Sequence, residues 1–350
     1  MICMGKGRKR KRKIILASIL FLILASGITG FVVLRNSILK PVELQETSYV
    51  YIDKNRNFEQ VVAQLNEMGL PSEKVFRFLA ERMKYDAAVK SGRYAITDGM
   101  NTLDIVRLLR SGVQTPVNLT FNNIRFKDNL AGRLSQQLMI DSLTLLDALN
   151  DEVLIDSLGF DEQTFLTMFI PNTYQVYWDT GAESLIRRMK REYDKFWNDS
   201  RLAKAEALSL SPVQVSVLAS IVEEEATYAD EYPTVAGLYL NRLRKGMRLE
   251  ADPTVKFAIG DLTLRRILFK HLEVDSPYNT YKVSGLPPGP IRIPDIRAID
   301  AVLTPQEHNY LFMCAKDDLS GRHNFATTHA EHSRNAARYQ QALNRMGIYK

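Results

Sequence analysis

The sequence predicts a mixed α+β protein hung from a single N-terminal transmembrane helix, on three observations. An uncharged apolar run stands near the N-terminus. Short alternating stretches then interleave with amphipathic helical ones as far as about residue 121. Beyond that, long helical patterns dominate and close on a hairpin and a last helix. The 350 residues are room for more than one domain, and 45% hydrophobic residues are enough to fill their cores. With 25% charged and 9% aromatic residues, the chain is neither disordered nor fibrous in composition.

The first element is a basic tail. Residues 1–13 carry Lys6, Arg8, Lys9, Arg10, Lys11, Arg12 and Lys13 and no acid. The whole chain has 46 basic and 40 acidic residues, a net charge of +6; without the tail the balance is 39 to 40. A nearly neutral body gives no reason to expect a nucleic acid as partner. Residues 14–34 follow, 21 positions from Ile14 to Leu34 without a charge. As a helix they span about 30 Å, the thickness of a bilayer core. The basic block in front keeps the N-terminus in the cytoplasm and puts everything after Arg35 outside the cytoplasmic membrane. A cleaved signal peptide is the alternative, with Ala25-Ser26-Gly27 as its small-residue site, but the apolar run is longer than a usual signal core. No Cys follows the run, which argues against a lipoprotein. Cys3 and Cys314 fall on opposite sides of the membrane, so the body has no disulfide framework. Cys314, in the apolar run Tyr310–Ala315, reads as a buried small hydrophobe of a strand rather than a nucleophile.

Residues 35–45 read as a stalk, and 46–121 as a small α+β module. Ser48–Ile52 and Arg93–Ile96 are its strands. Its helices start at Asn57, at Pro71-Ser72 and at Asn101; Gly69 closes the first and Gly112 the last. Val117, Leu119 and Phe121 alternate as in a half-buried strand. Residues 122–200 are a mostly helical connecting part, interrupted by the aromatic stretch Phe169–Trp178, which serves either as core or as a platform for sugar rings. Residues 201–350 form the last part. Ser211, Pro212 and Gln214 make a capping box that opens a helix over Pro212–Tyr228. A second helix covers about Thr234–Lys245. Asp252-Pro253-Thr254 is a turn, and the proline-rich Leu286–Pro294 is a stiff loop. Tyr310–Ala315 and His323–Phe325 pair as a hairpin before a final helix over about Ala330–Met346.

Chemistry concentrates at Glu223, Glu224 and Glu225, which lie inside an otherwise apolar helix. Adjacent carboxylates repel and resist joint ionisation. At about 100° per residue they point in three directions. Glu225 alone continues the stripe of Val217 and Ile221, where lost hydration raises its pKa and suits it to act as a general acid for a glycosidic oxygen. A solvated acidic helix end is the bland alternative. His323, His329 and His332 form an H-x5-H-x2-H cluster. Zinc usually needs tighter partners, so no metal and no cofactor are expected. There is no phosphate-binding glycine loop and no G-x-S-x-G elbow. Arg292, Arg297 and Arg322 read as a solvated face, with the binding of carboxylates or phosphates as the alternative.

The last part resembles the endolytic murein transglycosylase (YceG-like) family. The matching stretches are Leu218–Glu225, Val235–Val255, Ser276–Tyr281, Gly285–Ile291, and His323-Asn324-Phe325 with Thr328-His329. Gly92–Ile96, Gly99-Met100 and Leu108-Leu109 with Gly112 resemble the family's LysM-like module, and the likeness runs over roughly residues 45–345. The resemblance implies a lyase that cuts the glycan backbone of peptidoglycan within the strand, between N-acetylmuramic acid and N-acetylglucosamine, leaving a 1,6-anhydromuramoyl end. It implies Glu225 as the catalytic acid and base, Glu223 as a supporting acid, and substrate-binding positions at Asn241, Asp252, Thr254, Tyr278, Asn279, Thr280, Tyr281 and Asn324; each of these is equally readable as turn support. Two residues depart from the family pattern: Glu250 stands where Gln is common, and Asn172 where Asp is common. The partners implied are peptidoglycan strands, the inner membrane and a cell-wall synthesis complex. A non-catalytic peptidoglycan-binding or scaffold protein, and a metal-dependent hydrolase around His323 and His329, are the other readings of the same residues.

Overall fold

The computed structural model describes residues 5–264 and 267–347. The elements are α1 (Gly5–Leu39), β1 (Ser48–Ile52), α2 (Phe58–Glu67), α3 (Glu73–Arg82), β2 (Gly92–Ile96), α4 (Thr102–Ser111), β3 (Val117–Thr120), α5 (Lys127–Ser135), α6 (Ser142–Leu149), α7 (Glu152–Ser157), β4 (Thr173–Val176), α8 (Ala182–Phe196), α9 (Asp199–Ala207), α10 (Pro212–Glu225), α11 (Tyr232–Arg244), α12 (Asp252–Ile259), α13 (Ile296–Leu303), β5 (Phe312–Ala315), β6 (His323–Ala326) and α14 (His329–Arg345). The protein is therefore mixed α+β, with small two-stranded sheets, β1–β2, β3–β4 and β5–β6. Within α1, Lys13–Leu39 is long and apolar enough to cross a membrane, and its apolar side chains are exposed on every face.

The chain forms two compact units, one of residues 1–117 with 176–179 and one of 118–175 with 180–350. In the first, β1 runs antiparallel to β2, with Ser48 opposite Ile96. Asn57, Ser72 and Asn101 each cap the helix that follows by accepting backbone N–H bonds, and Gly112 ends α4 at φ +74°. The apolar faces meet in one core around Val50, Val62, Phe76, Tyr94, Ile105 and Leu109. Residues 35–45 are not a free stalk. The helix runs through them to Leu39, Pro41 bridges to Asn101, and Val42 is buried in the core. An apolar valine next to a folded module gains more by packing than by hanging in water.

In the second unit α10 is the central helix, buried from Val215 to Val222 and packed by α11, α12 and α13. Residues 122–200 belong to this same compact unit, save 176–179. Of the aromatic stretch, Phe169 and Tyr174 are core, stacking with Phe121, while Tyr177 is 54% exposed. The Leu286–Pro294 loop is non-helical as expected and is pinned to α10 by the Ile291 N–H on Ser220 Oγ (3.1 Å). Gly289 lies so close to Gln163 that a Cβ would sit 2.2 Å from its carbonyl oxygen. Asp252-Pro253-Thr254 is not an isolated turn: it is the first turn of α12, where a proline in the first turn is tolerated.

Candidate active site

The site is built on the end of α10. The apolar run Val215–Val222 drives this helix into the core, so whatever follows it emerges at an interior surface. The helix stops at Glu225, three residues short of the expected Tyr228, because Ala226 turns extended (φ −103°, ψ 124°). No Gly or Asn marks this stop. Instead the chain is drawn toward the β5–β6 hairpin, where the Tyr228 hydroxyl donates to the Ser320 carbonyl at 3.0 Å. The three carboxyls thus end at the negative pole of a helix, which disfavours their ionised forms.

They divide between two environments. Glu223 and Glu224 face the cations of neighbouring loops. Arg292 reaches Glu223 at 3.0 Å and Glu224 at 2.5 Å, Arg125 reaches both Glu224 oxygens at 2.8 Å, and the Asp295 N–H donates to Glu223 at 2.6 Å. Burial holds the Glu223 carboxyl above the usual range, with Arg292 opposing. Glu223 borders a small cavity of about 130 Å³ with Asn122, Pro171 and Arg292, and it does not line the cleft of Glu225. A supporting-acid role in that cleft has no geometry behind it, because the carboxyl is already held by a guanidinium and an amide. Arg292, expected on a solvated face, is 12% exposed and pairs with Glu223 and Glu224 while also donating to Asn123 Oδ1. Arg297 pairs with Asp295 and Arg322 with Asp230.

Glu225 lines a cleft of about 410 Å³ between α11, the start of α12, Tyr281 and the β5–β6 hairpin. The buried Tyr239 of α11 donates its hydroxyl to Glu225 Oε1 at 2.9 Å. Enclosure by protein pushes the Glu225 pKa up to about 7. The Tyr239 hydrogen bond opposes this, Asp252 and Glu224 add to it, and Lys256 subtracts. The Tyr239 hydroxyl itself is held well above its ordinary range by burial and by Glu225. The arrangement can deliver a proton near neutral pH to an oxygen lodged in the cleft.

The other sequence-derived positions separate into two sets. Asp252 and Tyr281 line the cleft together, the tyrosine hydroxyl donating to Asp252 at 2.6 Å. Thr254, Asn279 and Thr280 are buried beneath it and hold backbone. Asn279 donates to the Leu272 and Val274 carbonyls (2.9 and 2.8 Å). Thr280 Oγ1 accepts from the Ala251 N–H (2.9 Å) and meets Thr254 Oγ1 at 2.8 Å. Asn241 donates to the His308 and Tyr310 carbonyls, Asn324 to Asp317, and Tyr278 packs on Phe257. None of these six lines the cleft wall.

The cleft also contains residues that the sequence did not single out. Arg242 donates to the Arg248 and Leu311 carbonyls and to Glu250, the departure noted above, whose backbone takes φ +52°. Tyr239 had one legible clue: a tyrosine inside an apolar helix needs a partner for its hydroxyl. Cys314 sits in β5 but is half-buried on the cleft wall rather than in the core. His329 and His332 lie against Phe312, and burial lowers the His332 pKa. His323 pairs with Glu231. Among the described residues no three His, Cys, Asp or Glu side chains gather to hold a metal ion.

Residues 50–338 match the YceG-like family. The chain is 29% identical over 336 residues to the endolytic murein transglycosylase of Bacillus subtilis, covering 91% of this chain and 92% of that one. It is 27% identical over 353 residues to the endolytic murein transglycosylase of Streptococcus pneumoniae, of which the match spans 63%. A crystal structure of a YceG-like protein from Listeria monocytogenes aligns at a TM-score of 0.54 with 27% identity, over 83% of this chain and 99% of that one. With most of its length matched and its fold shared, the chain belongs to the YceG-like family.

Proposed function

We propose that the protein is a membrane-anchored endolytic murein transglycosylase that cleaves between N-acetylmuramic acid and N-acetylglucosamine with Glu225 as its proton donor and acceptor. The observation that carries this is one carboxyl with a pKa near 7, hydrogen-bonded by a buried tyrosine, on the wall of an open cleft. Glu225 protonates the bridging oxygen and the C–O bond breaks. An oxocarbenium-like centre develops, and the 6-hydroxyl of the same muramoyl residue closes on it while the carboxylate takes its proton. The nucleophile is part of the substrate, so no second acid need hold a water. Asp252 and Tyr281 face the sugar, while Thr254, Asn279 and Thr280 fix the loop that presents them.

The helix at Lys13–Leu39 supports single-pass anchoring, with the basic tail in the cytoplasm and the body outside. Such anchoring supports a role on newly made strands, with the complex that synthesises them as a partner. The β1–α2–α3–β2 order supports a LysM-like, glycan-holding role for the first unit.

The test is anhydromuropeptide release from purified sacculi, read by mass spectrometry. The wild type is expected to release 1,6-anhydro ends and the folded Glu225→Gln variant none. Binding without turnover by the wild type, or release by the variant, rejects the reading.

A further inference from the structure

We propose that His323, held in place by Glu231, is a second substrate-contacting residue of the cleft, its Nε2 forming a hydrogen bond with a sugar hydroxyl. The proposal rests on the glycan-cleaving reading of Glu225 and adds to it a residue that the single-carboxyl mechanism does not use.

The connection from Glu225 to α11 carries the argument. Within six residues of Glu225 it grips the β5–β6 hairpin three times. The Tyr228 hydroxyl holds the Ser320 carbonyl at 3.0 Å. Asp230 holds Arg322 at 2.9 Å, and that guanidinium also lies 4.5 Å over the Tyr228 ring. Glu231 accepts from the His323 backbone N–H at 3.0 Å and faces its Nδ1 at 3.1 Å. The hairpin wall is therefore tied to the very segment that ends the Glu225 helix.

Glu231 is 8% exposed and commits both oxygens to His323 alone among the described residues. A carboxylate can only accept, so Nδ1 carries a hydrogen toward Glu231 and Nε2 is the ring nitrogen left for another partner. His323 lines the same cleft as Glu225, and its Nε2 has no protein partner among the described residues. A buried carboxylate spent on orienting one ring implies that the other end of the ring has work to do.

The tyrosine hydroxyls and the arginine of the cleft wall are committed within the protein, which leaves its imidazoles and carboxylates to meet a substrate. The Tyr239 hydroxyl is given to Glu225, and the Tyr281 hydroxyl to Asp252. Arg242 is committed to two carbonyls and Glu250. A glycan presents hydroxyls, each of which needs an acceptor once water is displaced. An uncommitted imidazole nitrogen, fixed in direction, meets that need, since a sugar hydroxyl can both donate and accept.

The test uses the full-length protein, with sacculi as substrate. In His323→Asn the amide reaches the Nδ1 position, so the hold on Glu231 survives but nothing stands at Nε2. In His323→Gln the amide reaches the Nε2 position instead. We expect His323→Asn to melt near the wild type yet lose about 10–100-fold in kcat/KM, the cost of a hydroxyl left unpaired in a closed site. His323→Gln is expected to melt lower but to retain several-fold more activity than His323→Asn. A merely structural histidine gives the reverse order, and that order, or a His323→Asn enzyme within twofold of wild type, overturns the proposal. Should neither variant fold, Glu231→Gln decides: activity equal to wild type overturns it, and a loss supports it. Glu225→Gln is assayed alongside. If it is dead while His323→Asn is fully active, only this proposal falls; if it still releases anhydro ends, the reading of Glu225 falls and this proposal with it.

Discussion

Replacing Glu225 by Gln is expected to destroy activity and to make the protein more stable above neutral pH. The carboxyl titrates at about 7 in the fold against an ordinary value of 4.5. The folded state thus binds its proton more tightly than the unfolded chain does. Its contribution is fully favourable below about pH 4.5 and is lost as pH rises from there through about 7. A displacement of roughly 2.5 pH units at about 1.4 kcal/mol each makes the ionised carboxyl a burden of about 3 kcal/mol by pH 8, against less than about 1 kcal/mol at pH 5. Water entering the cleft screens part of this, so it is an upper figure. Gln keeps an oxygen for the Tyr239 hydroxyl and carries no charge, so the burden is lifted with the hydrogen bond intact. Melting temperatures followed by circular dichroism at about pH 5 and about pH 8 test this. At a slope of about 2–4 °C per kcal/mol for a unit of this size, the variant should lead by several degrees at the higher pH and by little at the lower. A variant that melts at or below the wild type at both values refutes the claim that the fold holds this carboxyl against its charge.

Other consequences follow from the same contacts. Activity depends on protonated Glu225, so kcat/KM should fall as pH climbs through about 7. Tyr239→Phe removes the hydrogen bond that holds this pKa down, so in a pH–rate profile its alkaline limb should move to higher pH. Arg292→Met strips a cation from Glu223 and Glu224 and should cost about 3–5 kcal/mol near neutral pH. Chemical denaturation should show that loss shrinking in acid as the carboxyls take up protons. Asn279→Ala leaves the Leu272 and Val274 carbonyls without their donor and should lower stability by about 1–3 kcal/mol in urea titrations.

Helix starts were legible because a cap is local chemistry. Asn57, Ser72, Asn101 and Ser211 each satisfy N–H groups only two or three residues ahead, so their side chains alone disclose the boundary. The end of α10 was not legible, because no residue near Ala226 forbids another helical turn; partners nearly a hundred residues away in sequence bend the chain there. The same distance dependence governs the site. Glu225 could be singled out from an apolar stripe on its own helix. Tyr239, Arg242 and His323 enter the cleft only when three elements pack, and no spacing encodes that. Thr254, Asn279 and Thr280 show the converse. The family resemblance offered sugar contact or turn support for them, and in the fold their side chains bond within the turn between packed elements.

Three consecutive carboxylates at one helix end would ordinarily leave every one of them poorly defined, since neighbouring charges share whatever proton is bound. Here geometry divides them. The turn to extended backbone at Ala226 leaves Glu223 and Glu224 against Arg292 and Arg125, while Glu225, enclosed by protein, meets the Tyr239 hydroxyl with Asp252 and Lys256 nearby. Burial raises both Glu223 and Glu225, but Arg292 and the Asp295 N–H oppose it at Glu223, and of the three only Glu225 lines the cleft. Glu224, though outside the cleft, thereby has a role in it: it adds to the resistance of Glu225 to ionisation while pairing with Arg125 and Arg292. Neutralising Glu224 as Glu224→Gln should therefore lower the pKa of Glu225 and bring the alkaline limb of activity to lower pH, opposite in direction to Tyr239→Phe. An unmoved limb would mean that enclosure alone sets the proton affinity of Glu225.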